Sequence, residues 1–376
     1  MRSQNILRNQ AKKIYLITTS YCSGRNLDAE RIRNYFIKNG WKITNTPTDA
    51  DYIIVNTCAF RESSIKMSVK TIKKMKKFNK KLIICGCLPS MEREVLKRVV
   101  GNQVPTFSPS NMEKIYEIFP QFKIKLNQIA DANDFKPEKK IDKETFFLRI
   151  STGCLGNCSF CNIKKAVGKL KSKPIKEIEN EFKTLLKQRA KTVALISDDT
   201  GAYGLDIGSS FPELLKQLII LSKKDTKIKI GQMNPRWFIK YQKDLFENLR
   251  SGKIVYISLP IQSGSNRILK LMRRNYYKIE EVDKPLKNLL KNFPDIHIHT
   301  SFIIGFPSET NKDFEKTLHL IKKEVFDSVD FYKYHENKTT DSYKIKPKMP
   351  KKVIEERCKL GIDLLRCKNI KGTKYD

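Results

Sequence analysis

Short, nearly continuous apolar runs alternate along the chain with stretches of helical period, the pattern of parallel α/β structure. KKIYLITT predicts a strand, followed by a loop carrying Cys22 and a helix over about 28–39. DYIIVNT predicts a second strand ending at Cys58, with helical periodicity following through Lys77. KLIICG predicts a third, ending at Cys87. In an open parallel sheet the carboxyl ends of the strands share one edge, where ligands bind. The pattern therefore brings three thiols to one edge, as a cluster site requires.

Weak periodicity over 119–143 predicts a linker after a first domain at 1–118. Strand patterns then resume in TFFLRIS, TVALIS, KIKIGQM, IVYISL, IHIHTSFII and SVDFYKY, each followed by a helical stretch. The expected fold is α/β: an N-terminal open parallel-sheet domain, then a partial (β/α)6 TIM-like barrel over 144–338. Residues 339–376 read as a short basic tail, Lys/Pro-rich and then helical in KKVIEERCKLGIDLLRC.

The chemistry concentrates directly after the first barrel strand, in ISTGCLGNCSFCNI. Active sites in such barrels form at the carboxyl ends of the strands. The C-x3-C-x2-C spacing of Cys154, Cys158 and Cys161 lets three thiolates hold three irons of a [4Fe–4S] cluster and leaves the fourth iron open. An open iron can chelate S-adenosylmethionine, whose one-electron reduction yields a radical able to remove an unactivated hydrogen. A zinc site is the alternative, but zinc asks for four ligands and no fourth lies nearby.

Composition adds three constraints. Nine cysteines in a chain without a secretory leader point to metal ligation before disulfides. The N-terminus lacks a long apolar h-region, and no apolar run reaches the roughly 18 residues of a membrane span, so the cytoplasm is expected and no membrane partner. The formal net charge of +34 favours an anionic partner such as nucleic acid, although the lysines are spread over nearly every helix.

At this point the sequence resembles the radical S-adenosylmethionine methylthiotransferases over about 13–345. The resemblance rests on YCSGRNLDAE, IIVNTCAFRESS, IICGCLPS, SDDTGAYGLDIG, the MNP at 233–235, LPIQSGSNRILKLMRRNY and SFIIGFPSETNKDF. CLGNCSFCNIKKAVGKLKSKPIKEI, with DTGAYGLDIG, is most similar to the branch acting on threonylcarbamoyladenosine in tRNA. Arg25 and Asp198 depart from the family pattern, whereas Asp28 and Glu30 keep their places.

The resemblance implies a second, auxiliary [4Fe–4S] cluster on Cys22, Cys58 and Cys87. It implies two molecules of S-adenosylmethionine per product, one as methyl donor and one as radical source, with a methylthio group replacing a C–H hydrogen. It implies a one-electron reductant such as flavodoxin or ferredoxin. It places Phe160 over the adenine or the cluster, and Asp199, Thr200, Asn234, Gln262, Ser263 and Ile304 near the cofactor.

The family's RNA-gripping TRAM domain is not predicted after Lys346, which turns the expected substrate toward a peptide or protein. A tRNA substrate is the alternative, favoured by the motif match and the charge. A cluster-bearing protein that delivers sulfur without turnover is a third reading, opposed by the complete Cys154/Cys158/Cys161 loop. Cys85 alternates with Cys87 and is expected in the core. Cys358 and Cys367 read as free thiols, and His297 and His299 share a strand face without a third ligand at suitable spacing.

Overall fold

The structure is a computed structural model that describes residues 11–20, 22–131, 145–323 and 325–375. It divides into two compact units, Met1–Phe60 with Ser64–Asp131 and Arg61–Ser63 with Ala132–Asp376.

The first unit opens with β1 (Lys13–Thr18), α1 (Ser23–Lys38), β2 (Lys42–Ile43) and β3 (Tyr52–Thr57). It continues with α2 (Glu62–Lys76), β4 (Lys81–Gly86), α3 (Leu88–Met91), α4 (Arg93–Val100) and α5 (Ile115–Ile118). The sheet has the order β2-β1-β3-β4, and every pairing is parallel. Its central strands are β-branched runs, which a pleated sheet covered on both faces favours. The first helix begins at Ser23 and not near residue 28. The turn-like SGRN composition hides this start, and the side chain of Cys22 at the N-cap position makes no capping bond.

Residues 119–131, expected in the linker, pack on the first unit. Phe119 and Phe122 join Tyr35, Phe36, Trp41 and Tyr52 in one aromatic cluster, with Phe36 and Phe119 centroids 4.8 Å apart. Each buried phenyl contributes about 1.5–3 kcal/mol, so isolated aromatics hold this segment without helical or strand periodicity. The remainder of the expected linker, 132–143, lies outside the described residues.

The second unit carries β5 (Thr145–Arg149), β6 (Ser151–Thr152), α6 (Lys164–Val167), β7 (Lys171–Ser172) and α7 (Ile175–Lys187). Next come β8 (Thr192–Ile196), α8 (Phe211–Leu221), β9 (Lys227–Gln232), α9 (Pro235–Lys240) and α10 (Gln242–Leu249). Then follow β10 (Ile254–Gln262), α11 (Asn266–Leu271), α12 (Ile279–Asn292), β11 (His297–Ile304), α13 (Asn311–Lys322) and β12 (Ser328–Lys333). The chain ends in α14 (Lys351–Cys367) and β13 (Lys371–Tyr375).

The sheet runs β13-β12-β11-β10-β9-β8-β5, all parallel, so each crossover advances one place, as in an open barrel. The six expected strands are present. The tail, read as helical, adds a seventh: β13 pairs with β12 from Ser328↔Lys371 to Tyr332↔Tyr375. KGTKY lacks apolar alternation, so only its backbone pairing reveals it. No helix among the described residues is long and apolar enough to cross a membrane.

Candidate functional site

In the first unit, β1, β3 and β4 end at Thr18, Thr57 and Gly86, and Cys22, Cys58 and Cys87 follow on the shared carboxyl edge. Cys22 is the N-cap residue of α1. The Cys58 N–H donates to Thr19 Oγ1 at 3.2 Å and Ser68 Oγ at 3.1 Å, and Ser68 Oγ donates back to the Cys58 carbonyl at 2.7 Å. The Cys87 N–H donates to the Thr57 carbonyl at 3.0 Å. Gly86 between them holds φ +91°, and a Cβ there would stand 2.3 Å from the Thr57 carbonyl oxygen.

Cys58 and Cys87 are buried and Cys22 is exposed; all three are free thiols. Burial pushes the Cys87 thiol up to about 12; Arg25 opposes the rise, while charge on Cys58 and Cys22 adds to it. Three thiols within each other's electrostatic reach are costly to ionise together unless a polycationic centre compensates. An iron–sulfur cluster is such a centre. Cys85 points to the other face, into the aromatic core.

In the second unit the cysteine loop is closed at its base by antiparallel pairing of β6 with β7. Gly153, at φ +78°, lies so close to the returning chain that a Cβ would stand 1.9 Å from the Lys169 carbonyl oxygen. The Gly153 N–H donates to Asp198 Oδ2 at 2.8 Å, giving that residue a structural role in this loop. Gly156 keeps the space between two sulfurs clear, since a Cβ there would meet Cys154 Sγ at 3.2 Å and Cys158 Sγ at 3.8 Å. Burial pushes the Cys154 thiol up to about 12, and charge on Asp199, Cys161 and Cys158 adds to the rise.

No three His, Cys, Asp or Glu side chains among the described residues are arranged to hold a single metal ion. Thiols standing apart fit a cluster, where each binds a different iron. The pair of His297 and His299 is engaged otherwise: His297 Nε2 meets Ser328 Oγ at 2.7 Å and His299 Nδ1 meets Ser258 Oγ at 2.9 Å.

The loop's centre is fastened to the end of α11. The Ser159 N–H donates to the Met272 carbonyl at 3.0 Å, and Ser159 Oγ to the Leu271 carbonyl at 2.7 Å. The Ser342 N–H donates to the Ser159 carbonyl at 2.8 Å. Phe160 next to it is half-buried and packs on the barrel core.

The other expected cofactor neighbours divide by role. Asp199 is buried, with its pKa raised by that burial, and accepts the Asn234 N–H at 3.0 Å and Trp237 Nε1–H at 2.8 Å. Both of its oxygens are therefore committed to the turn after β9. Thr200 Oγ1 donates to the Gly231 and Gln232 carbonyls. Asn234 caps α9 by accepting the Arg236 N–H, and its side-chain amide donates to Tyr276 Oη at 2.7 Å. Gln262 holds φ +78°, and its buried Oε1 has no hydrogen-bond partner among the described residues. Ser263 Oγ accepts the Ser265 N–H at 3.2 Å, and Ile304 is fully buried.

Three side chains at this site escaped the sequence reading. Arg274 Nη1 donates to Cys158 Sγ at 3.6 Å, and Tyr276 Oη lies 4.0 Å from the same sulfur. The Arg236 guanidinium lies over Tyr276, 4.7 Å from its centroid, and over Trp237 at 4.2 Å. Arg274 and Tyr276 lie in the quoted LMRRNY segment, but nothing local in it signals a contact with a loop more than a hundred residues earlier.

A thiol-lined loop at the carboxyl end of an open barrel defines a radical S-adenosylmethionine protein, and residues 148–321 match the model of the Radical SAM superfamily. Residues 13–105 match a second model, described as uncharacterized protein family UPF0004. The chain is 30% identical to a probable threonylcarbamoyladenosine tRNA methylthiotransferase of Pyrococcus abyssi, over 93% of this chain and 82% of that protein. It is 31% identical to the ribosomal protein uS12 methylthiotransferase RimO of Carboxydothermus hydrogenoformans, over 91% and 80%. Among solved structures, the radical S-adenosylmethionine methyltransferase TsrM from Kitasatospora setae shares the fold, with a TM-score of 0.65 and 10% identity over 89% of this chain and 77% of that one. The chain belongs to the radical S-adenosylmethionine methylthiotransferase family, and is an enzyme of that class. Its cofactors are S-adenosylmethionine and two [4Fe–4S] clusters.

Proposed function

We propose that Cys154, Cys158 and Cys161 hold the cluster that cleaves S-adenosylmethionine, that Cys22, Cys58 and Cys87 hold the auxiliary cluster, and that the substrate is an N6-threonylcarbamoyladenosine in tRNA. The observation carrying the cluster assignment is that Cys22, Cys58 and Cys87 follow the carboxyl ends of three parallel strands, and that Cys154, Cys158 and Cys161 share one loop after β5, with Gly156 lying against two of their sulfurs. When bound, the cofactors supply a radical that opens a C–H bond and a methylated sulfur that replaces the hydrogen.

The chain's own residues prepare the site. Asp199 fixes the turn carrying Asn234, Asn234 orients Tyr276 beside Cys158, and Gln262 presents an Oε1 without a partner among the described residues. Electrons come from a one-electron carrier such as flavodoxin or ferredoxin. Six thiols reserved for cluster ligation suit a reducing, cytoplasmic location.

Two features support RNA. The Pyrococcus abyssi relative spanning 93% of this chain is named for a tRNA substrate. On α2, Lys70, Lys73 and Lys74 share an exposed face, and the helix carries no carboxylate after Glu62. Such a face suits phosphates. A second reading, a peptide or protein substrate, is favoured by the relative named for ribosomal protein uS12.

The test is mass spectrometry of tRNA nucleosides from a host lacking its own methylthiotransferases and expressing this chain anaerobically. A methylthio-adenosine derivative is expected. Its absence with both clusters loaded would refute the RNA reading and direct the search to proteins.

A further inference from the structure

Arg274 is 5% exposed, so its guanidinium is almost wholly removed from water. Nη2 donates to the Pro260 carbonyl at 2.7 Å, Nε to Tyr277 Oη at 3.4 Å and Nη1 to Cys158 Sγ at 3.6 Å. Tyr277 Oη is itself fixed by donating to the Ile261 carbonyl at 2.9 Å. Among the described residues no carboxylate lies within ion-pair distance of this cation. A buried guanidinium without an anion in contact is strongly unfavourable, and the buried Asp199 carboxyl feels its charge without pairing with it. Of the groups it touches, Cys158 is the one assigned above to the cluster, which is an anionic centre when bound.

We infer that Arg274 is the built-in counter-cation of the cluster on Cys154, Cys158 and Cys161, and that its N–H bond to Cys158 sets the reduction potential of that cluster. The inference rests on the cluster assignment proposed above. Reduction adds one negative charge to an already anionic centre, and a fixed cation in a dry site stabilises the reduced form more than the oxidised one. Hydrogen bonds to cluster sulfurs and burial are the levers by which a protein moves such potentials. Arg274 supplies both at one ligand. Its guanidinium fork is what allows Pro260 and Cys158 to be reached together, and a lysine ammonium lacks that geometry. Arg274 is thus a positioning residue, acting on the cluster through its ligand and not on the substrate.

The test is an EPR-monitored reductive titration of the anaerobically reconstituted full chain, following the signal component that changes when S-adenosylmethionine is added. Iron and sulfide content is measured on each sample. Arg274→Gln, which removes the charge, is expected to lower the potential by at least about 59 mV, a tenfold change in a one-electron equilibrium. Arg274→Lys is expected to fall between it and the wild type. Should Arg274→Gln fail to fold, Arg274→Lys and Tyr277→Phe carry the test, each with a smaller downward shift. A potential unchanged in a fully loaded Arg274→Gln or Arg274→Lys protein would overturn the inference and leave Arg274 a packing residue. A wild-type chain that takes up no cluster responsive to S-adenosylmethionine would instead refute the site assignment itself.

Discussion

Asn234 donates its side-chain amide to the Tyr276 hydroxyl at 2.7 Å, and that hydroxyl stands 4.0 Å from Cys158 Sγ. Asn234 is held by Asp199, which accepts its backbone N–H, so β8, β9 and the segment after α11 converge on one sulfur. Removing the hydroxyl leaves the Asn234 amide without that acceptor. Tyr276→Phe should slow S-adenosylmethionine cleavage about fivefold to tenfold, the worth of one hydrogen bond of roughly 1 kcal/mol. Iron content should stay that of the wild type. An unchanged rate would mean the hydroxyl only packs.

The two thiol triads should separate in single variants. Cys158→Ala is expected to abolish S-adenosylmethionine cleavage, because it removes a proposed ligand to the radical cluster. Cys58→Ala should retain part of the cleavage and lose sulfur insertion. Methylthiolated product from the Cys58→Ala variant would refute the auxiliary-cluster assignment.

Gly86 joins Thr57 and Cys87 by close backbone approach, with its φ in the left-handed region. Gly86→Ala should destabilise the first unit by about 2 kcal/mol or more, through strain and collision with the Thr57 carbonyl. Chemical denaturation measures the loss, and iron at the auxiliary site should fall with it.

Asp313 receives Ser265 Oγ at 2.6 Å, Thr310 Oγ1 at 2.6 Å and the Arg267 guanidinium. Burial pushes its carboxyl up, but the hydrogen bonds from Arg267, Ser265 and Thr310 outweigh this and hold it well below the usual carboxylate range. A depressed folded pKa gives stability present above the unfolded value and lost as pH falls through the folded one. Asp313→Asn should therefore cost about 2 kcal/mol at pH 7. The gap from wild type should narrow in melts taken below about pH 4. A gap independent of pH would show that the carboxylate charge is irrelevant.

Much of the fold was legible because strands and helices announce themselves through local periodicity. The runs around Ile54 and Ile83 could only be buried strands, and their ends placed Cys58 and Cys87 on one edge. Local pattern fails where stability comes from contacts remote in sequence. Phe119 and Phe122 are buried without belonging to any periodic run, and β13 exists because β12 offers an open edge. Arg274 illustrates the same limit at the site: its partner Cys158 is 116 residues away. The motif showed which residues belong together chemically, while the tertiary fold alone shows which atoms face them.

Ser159 is tied to Leu271, Met272 and Ser342, and the last of these ties has a consequence for synthesis. The ribosome makes Cys154, Cys158 and Cys161 early, yet the backbone that pins their loop is complete only once Ser342 has emerged. Chains fold from the N-terminus as they are made, so the trio waits through most of the barrel's translation. Iron delivery to it is then expected only after Ser342 has joined the loop. A nascent chain stalled before Ser342 should take up no radical-site iron even where the first unit is already loaded.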